Sequence, residues 1–119
     1  MKIKYANKKV ESKCTSLKAA KKLFGGDKVL ANSLMARINA IERADVIKDI
    51  ILTPPFHFHN LQGKLAGYFA IDVKSRKEKW RIILQPLDED ENVFEPCNID
   101  EIAEIVKIVE VREVSAHYE

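Results

Sequence analysis

The chain has 119 residues, of which 46% are hydrophobic and 32% charged, with four glycines and four prolines. This is one domain's length with one core, and the composition excludes disordered, collagenous and low-complexity classes; the sequence also lacks the roughly 18-residue apolar run of a membrane helix and a signal-peptide apolar segment, so a cytoplasmic protein without a membrane partner is expected. The net charge of +2 conceals an asymmetry: residues 1–64 carry 13 Lys and Arg against 5 Asp and Glu, and residues 65–119 carry 7 against 13.

Lys2-Ile3-Lys4-Tyr5 alternates polar and apolar side chains and predicts a short strand paired with a distant partner. Ser16 is placed to cap a helix over residues 17–24, with Leu17, Ala20, Leu23 and Phe24 on one face and Gly25-Gly26 as a left-handed stop. Helical character before Ser16 is expected from about Lys8. Asp27 then caps a second helix running to about Ala44, with Leu30, Leu34, Ile38 and Ile41 at helical spacing, so the two form a helical hairpin. A helical turn over residues 45–52 ends at Thr53-Pro54-Pro55.

From Phe56 the pattern alternates. Phe56, Phe58 and Asn60 share one face and His57, His59 and Leu61 the other, as in a strand leading to a turn at Gly63. Residues 67–73 predict a second strand with Phe69, Ile71 and Val73 inward, and residues 80–85 a third with Trp80, Ile82 and Leu84 inward and Arg81 outside the core. The connection between them, Lys74-Ser75-Arg76-Lys77-Glu78-Lys79-Trp80-Arg81, holds five cations and one anion and forms a basic patch. Residues 88–104 contain eight acids and no base, which predicts a solvated loop with a helical turn near residues 99–104. Residues 105–114 predict a last strand with Val109 and Val111 inward and Glu110 and Arg112 on the Arg81 side. The expected fold is α+β: an N-terminal strand and a helical hairpin packed on a mostly antiparallel sheet, in one domain over residues 1–119.

Cys14 and Cys97 match neither a redox CxxC nor a zinc ribbon and are read as free thiols. No Walker loop, GxGxxG, HExxH or GxSxG occurs, which removes support for nucleotide hydrolysis, dinucleotide redox and serine-hydrolase chemistry. His57, His59 and His117 are numerous enough for a three-histidine zinc site, but no acid stands at a familiar offset, and no metal or cofactor is assigned. What remains is a set of cations and proton-transfer groups that could converge: His59, Lys64, Arg81, Arg112 and His117, with Tyr68 and Tyr118. RNA cleavage by its own 2′-hydroxyl needs such a set: a base, cations for the pentacovalent charge, and an acid for the leaving 5′-oxygen. An ordinary basic surface has the same composition.

The run from His59-Asn60-Leu61-Gln62-Gly63-Lys64 through Gly67-Tyr68-Phe69-Ala70-Ile71, then Lys79-Trp80-Arg81-Ile82, Val109-Glu110-Val111 and His117-Tyr118, resembles the HigB-like branch of the RelE/ParE toxin superfamily. The resemblance implies a toxin of a type II toxin–antitoxin pair: a metal-independent, ribosome-dependent endoribonuclease that cuts mRNA and is silenced by a cognate antitoxin protein. It implies His117 as leading general base or acid, Arg81 as phosphate stabiliser, His59 as RNA-orienting or second proton-transfer group, and Tyr118 as a stacking residue. Lys64, Lys74, Arg76, Lys77, Lys79, Arg112 and Tyr68 would then contact RNA. The chain departs from the pattern at Gln62, where members often carry lysine, and in ending His117-Tyr118 where they commonly read Tyr-His. Two other readings use the same residues: a gyrase-binding toxin of the ParE kind, and a catalytically silent module that holds a partner peptide.

Overall fold

A computed structural model describes residues 1–116. The chain forms β1 (Lys2–Tyr5), α1 (Lys8–Thr15), α2 (Leu17–Leu23), α3 (Lys28–Arg43), α4 (Ile47–Ile51), β2 (His59–Asn60), β3 (Phe69–Asp72), β4 (Arg81–Leu87), α5 (Ile99–Ile102) and β5 (Ile108–Ser115). The architecture is α+β. The five strands lie in the order β1-β5-β4-β3-β2, with β1 parallel to β5 and the other pairs antiparallel. No helix among the described residues is long and apolar enough to cross a membrane.

The helices begin and end where local chemistry dictates. Asn7, Ser16 and Asp27 each accept a hydrogen bond from the backbone N–H three residues on, satisfying donors that the first helical turn leaves open. Gly25 and Gly26 hold φ of 63° and 92°, left-handed values that a Cβ disfavours, and so turn the chain from α2 into α3. Ser16 also separates two helices, because its own backbone is extended; the expected hairpin is therefore a three-helix unit of α1, α2 and α3.

Leu34, Ile38 and Ile41 of α3 and Ile47 and Ile50 of α4 pack with Ile71, Val73, Ile82, Leu84, Val109, Val111 and Val114 of the sheet, which forms the main core. Ile71, Val73, Ile82, Leu84, Val109 and Val111 face the main core as their alternation predicts. The opposite face of the sheet carries, among the described residues, a small cluster of Leu61, Ala70 and Ile83, flanked by Leu65 and Tyr68.

The strand expectations change in detail, β4 running over Arg81–Leu87 rather than residues 80–85. Pro54–Phe56 forms a 3-10 turn because the two prolines lack N–H donors and start a turn readily, so β2 begins only at His59. β3 starts at Phe69 rather than residue 67, since Gly67 takes a left-handed φ of 93°. β5 starts at Ile108, leaving Ile105 exposed. Within β5 a bulge opposite Ile83 and Leu84 adds Arg112 as an unpaired residue, which brings Val114 inward again. The acidic stretch is not wholly solvated: Ala103 and Val106 enter the core, and Glu91 lies 3.1 Å from Lys2 Nζ and 3.5 Å from Lys4 Nζ on the edge strand β1.

Leu34→Ala removes a wholly buried side chain at the centre of the core, and a loss of about 3 kcal/mol is expected in urea unfolding. Burial pushes the Cys14 thiol up to about 12, opposed weakly by Lys13. The unfolded thiol ionises near pH 9, so this contribution to stability is intact below that pH and declines as pH rises towards about 12. Between pH 7 and about pH 10.5 the wild type is expected to lose about 2 kcal/mol more than Cys14→Ala, as read by urea unfolding at both pH values.

Candidate functional site

The site is built where β3 ends and β4 begins. Asp72 and Arg81 are register partners across that pair, and both are buried, at 0% and 6% exposure. A lone carboxylate shielded from water is costly unless a cation meets it. Arg81 Nε lies 3.1 Å from Asp72 Oδ1. The two are an ion pair without a well-aimed hydrogen bond, since Arg81 Nε and Asp72 Oδ2 lack a hydrogen-bond partner among the described residues. Arg81 thus lies outside the main core, as its alternation predicts, but is buried rather than solvated.

The rest of the Arg81 guanidinium faces its own hairpin. It donates to the carbonyls of Glu78, of Trp80 at 2.9 Å and of Arg76 at 3.4 Å. From the helical side, Arg37 donates to the carbonyls of Asp72 at 2.9 Å, Lys74 at 3.1 Å and Pro55 at 3.3 Å, with its guanidinium 4.6 Å above the Phe56 ring. Burial pushes Arg37 below its ordinary value, and the Asp72 carboxylate acts in the opposite direction. Phe24 meets Trp80 edge to face at 5.0 Å, which ties the same hairpin to the end of α2.

Two histidines stand over this pair. His57 occupies a left-handed backbone, φ 50° and ψ 51°, and its Nδ1 lies 3.4 Å from Asp72 Oδ1. His59 Nδ1 lies 2.8 Å from the His57 carbonyl oxygen; a carbonyl only accepts, so Nδ1 carries the proton and Nε2 is the nitrogen available for exchange. The two rings are 4.7 Å apart. With Arg76 and Arg81 they line a half-open cleft of about 390 Å³.

His59 and Arg81, two of the residues expected to act, are therefore brought together, and Arg76 joins them from the basic connection. Lys74, Lys77 and Lys79 are exposed on that connection. Lys64 is exposed on the turn Gly63–Leu65 and does not line the cleft. Arg112 lies instead over the Tyr68 ring at 5.9 Å, a cation–π pair on the open sheet face. His117 and Tyr118 lie outside the described residues. Among the described residues no three His, Cys, Asp or Glu side chains converge as a metal-binding group.

Sequence reasoning missed Asp72 and Arg37, and it weighed His57 for proton transfer and as a metal ligand but left it out of the converging set. The signal for Asp72 was a single acid in the apolar strand Phe69-Ala70-Ile71-Asp72-Val73, which requires a buried partner. No protein-family model matches the chain, and no curated protein matches it.

Asp72→Ala leaves the Arg81 guanidinium buried without its counter-charge, and a loss of about 3 kcal/mol or more is expected in chemical denaturation. Adding Arg81→Met in the same chain is expected to restore about half of it, because no buried charge then remains.

Proposed function

We propose that this chain is the toxin of a toxin–antitoxin pair, an endoribonuclease that cuts mRNA on the ribosome with no metal or other cofactor. The observation that supports the reading is the meeting of His57, His59, Arg76 and Arg81 on one cleft, beside a connection that exposes Lys74, Lys77 and Lys79. Such a cleft suits a strand of RNA: cations draw in the phosphate, and paired imidazoles move two protons. The 2′-hydroxyl loses its proton to a neutral imidazole as O2′ bonds to phosphorus. The bond to the 5′-oxygen breaks, and a protonated imidazole supplies the proton that this oxygen needs.

Arg76 is the exposed arginine of the cleft and takes the phosphate, while Arg81 is held inward by Asp72 and the hairpin carbonyls. His59 serves proton transfer through Nε2. Ser115 pairs with Arg81 across β4 and β5, and His117 and Tyr118 follow Ser115 in the sequence by two and three residues. His117 is assigned a proton-transfer role and Tyr118 stacking on a base. A cognate antitoxin protein would silence the enzyme. The inward commitment of Arg81 favours a second reading, a non-enzymatic module that uses this basic surface to hold a partner protein such as gyrase or an antitoxin-like peptide.

Cleavage-site mapping on an mRNA translated by purified ribosomes separates the two. The nuclease reading expects cuts only when ribosomes are present, unaffected by EDTA-treated enzyme stocks, reduced at least about 10²-fold by His59→Ala and about tenfold by Arg76→Ala. Intact mRNA at the same wild-type concentration moves the binding module ahead, and inhibition of gyrase would then identify its partner.

A further inference from the structure

We propose that His57 is the base of the cleft and that Asp72 is the residue that positions it. The assignment rests on the nuclease reading above and specifies which imidazole receives the 2′-hydroxyl proton. His57 is not among the residues that the sequence resemblance singles out. It is the geometry that points to it.

His57 has a left-handed backbone, at φ 50° and ψ 51°, a conformation uncommon for residues with a Cβ and one that histidine takes more readily than most. It follows the turn of Pro54–Phe56, which the His57 N–H closes by bonding to the Pro54 carbonyl at 3.0 Å. The turn sets the imidazole over the end of β3, where Nδ1 meets Asp72 Oδ1 at 3.4 Å. The His57 side chain remains 34% exposed and lines the cleft, whereas the carboxylate beneath it is 0% exposed. An ionised carboxylate only accepts, so His57 carries its neutral-state proton on Nδ1 and presents the lone pair on Nε2.

The two histidines differ in what lies behind them. His59 Nδ1 meets a neutral carbonyl, that of His57, which orients the ring but carries no counter-charge. His57 Nδ1 faces a carboxylate, which orients the ring and fixes which nitrogen carries the proton. His57 Nδ1 and Arg81 Nε share Oδ1 of that carboxylate, at 3.4 Å and 3.1 Å, while Oδ2 has no hydrogen-bond partner among the described residues. In the reaction, His57 Nε2 takes the proton of the 2′-hydroxyl and O2′ bonds to phosphorus. The P–O5′ bond then breaks, O5′ takes a proton from the protonated imidazole of the second proton-transfer histidine, His59 or His117, and the products are a 2′,3′-cyclic phosphate and a 5′-hydroxyl. Solvent returns both imidazoles to their starting states.

The test begins on the protein alone. Long-range ¹H–¹⁵N correlation of the imidazole nitrogens, with His57→Gln identifying the signals, is expected to show neutral His57 protonated on Nδ1. Protonation on Nε2 overturns the proposal whatever the activity. On translated mRNA, folded His57→Gln and Asp72→Asn are each expected to lower kcat by about 10²- to 10⁴-fold with KM changed by less than about threefold. A His57→Gln enzyme that keeps more than about a tenth of the wild-type rate overturns the base assignment. A folded Asp72→Asn enzyme with kcat unchanged overturns the positioning role, and if that variant does not fold the wild-type tautomer decides it. An active wild type with Nε2-protonated His57 sinks this proposal alone; a wild type inert on mRNA sinks the nuclease reading and the base assignment with it.

Discussion

The carboxylate of Asp72, shut away from water at the end of β3, sets the terms for everything around it. A charge so placed is tolerated only if cations and donors close on it. Arg81 does so from the register-opposed position on β4, and Arg37 reaches across from α3 to the backbone carbonyl of the same residue. Because Arg81 then spends its remaining donors on the carbonyls of residues 76, 78 and 80, the pair also shapes the basic connection between the strands. One buried interaction therefore joins the sheet, the helical layer and the cleft. Its partners cannot be changed one at a time without leaving a charge behind.

The sheet supports this arrangement asymmetrically. One face is covered by α3, α4 and the rest of the main core, while the apolar cluster on the other consists, among the described residues, of Leu61, Ala70 and Ile83 with their two flanking side chains. The bulge in β5 adds to the difference, since it puts the consecutive charges Arg112 and Glu113 in exposed positions while keeping Val111 and Val114 inward. At the far edge, Glu91 joins Lys2 and Lys4 of β1, so part of the acidic stretch meets the basic edge strand rather than standing apart. These exposed pairs contribute little to stability individually. Their effect is to place opposite charges along an edge that would otherwise present an unpaired strand.

Most of the layered fold was legible from local signals. Ser16, Asp27 and Gly25-Gly26 mark helix limits because capping and left-handed turns depend on the residue at one position, and the alternation of Ile71, Ile82, Leu84, Val109 and Val111 marks the buried sheet face. The site was less legible. Periodicity says which face a side chain leaves from, and Arg81 does leave from the side away from the main core. It cannot say that an acid on the neighbouring strand waits there. That depends on the register of β3 against β4, which pairs Asp72 with Arg81. Alternation did place His57 beside His59, and their rings are 4.7 Å apart, but it could not show the left-handed backbone that follows the proline turn or the Asp72 carboxylate at the end of β3.

The two arginines of the cleft show why proximity and charge have to be weighed separately. Arg81 is the one with conspicuous sequence context, between Trp80 and Ile82, but its charge is already met by Asp72. A cation paired in this way offers an incoming phosphate far less net attraction than a free one at the same distance. Arg76 has no ion pair among the described residues and shares its exposed connection with Lys74, Lys77 and Lys79, so the positive potential above the cleft originates there. The division is physically economical: the inner arginine can be rigid because it is buried and bonded, and the outer one can follow a flexible polyanion because it is neither. For a nuclease, imidazoles set over a buried carboxylate and exposed cations at the entrance are compatible demands only if different residues meet them.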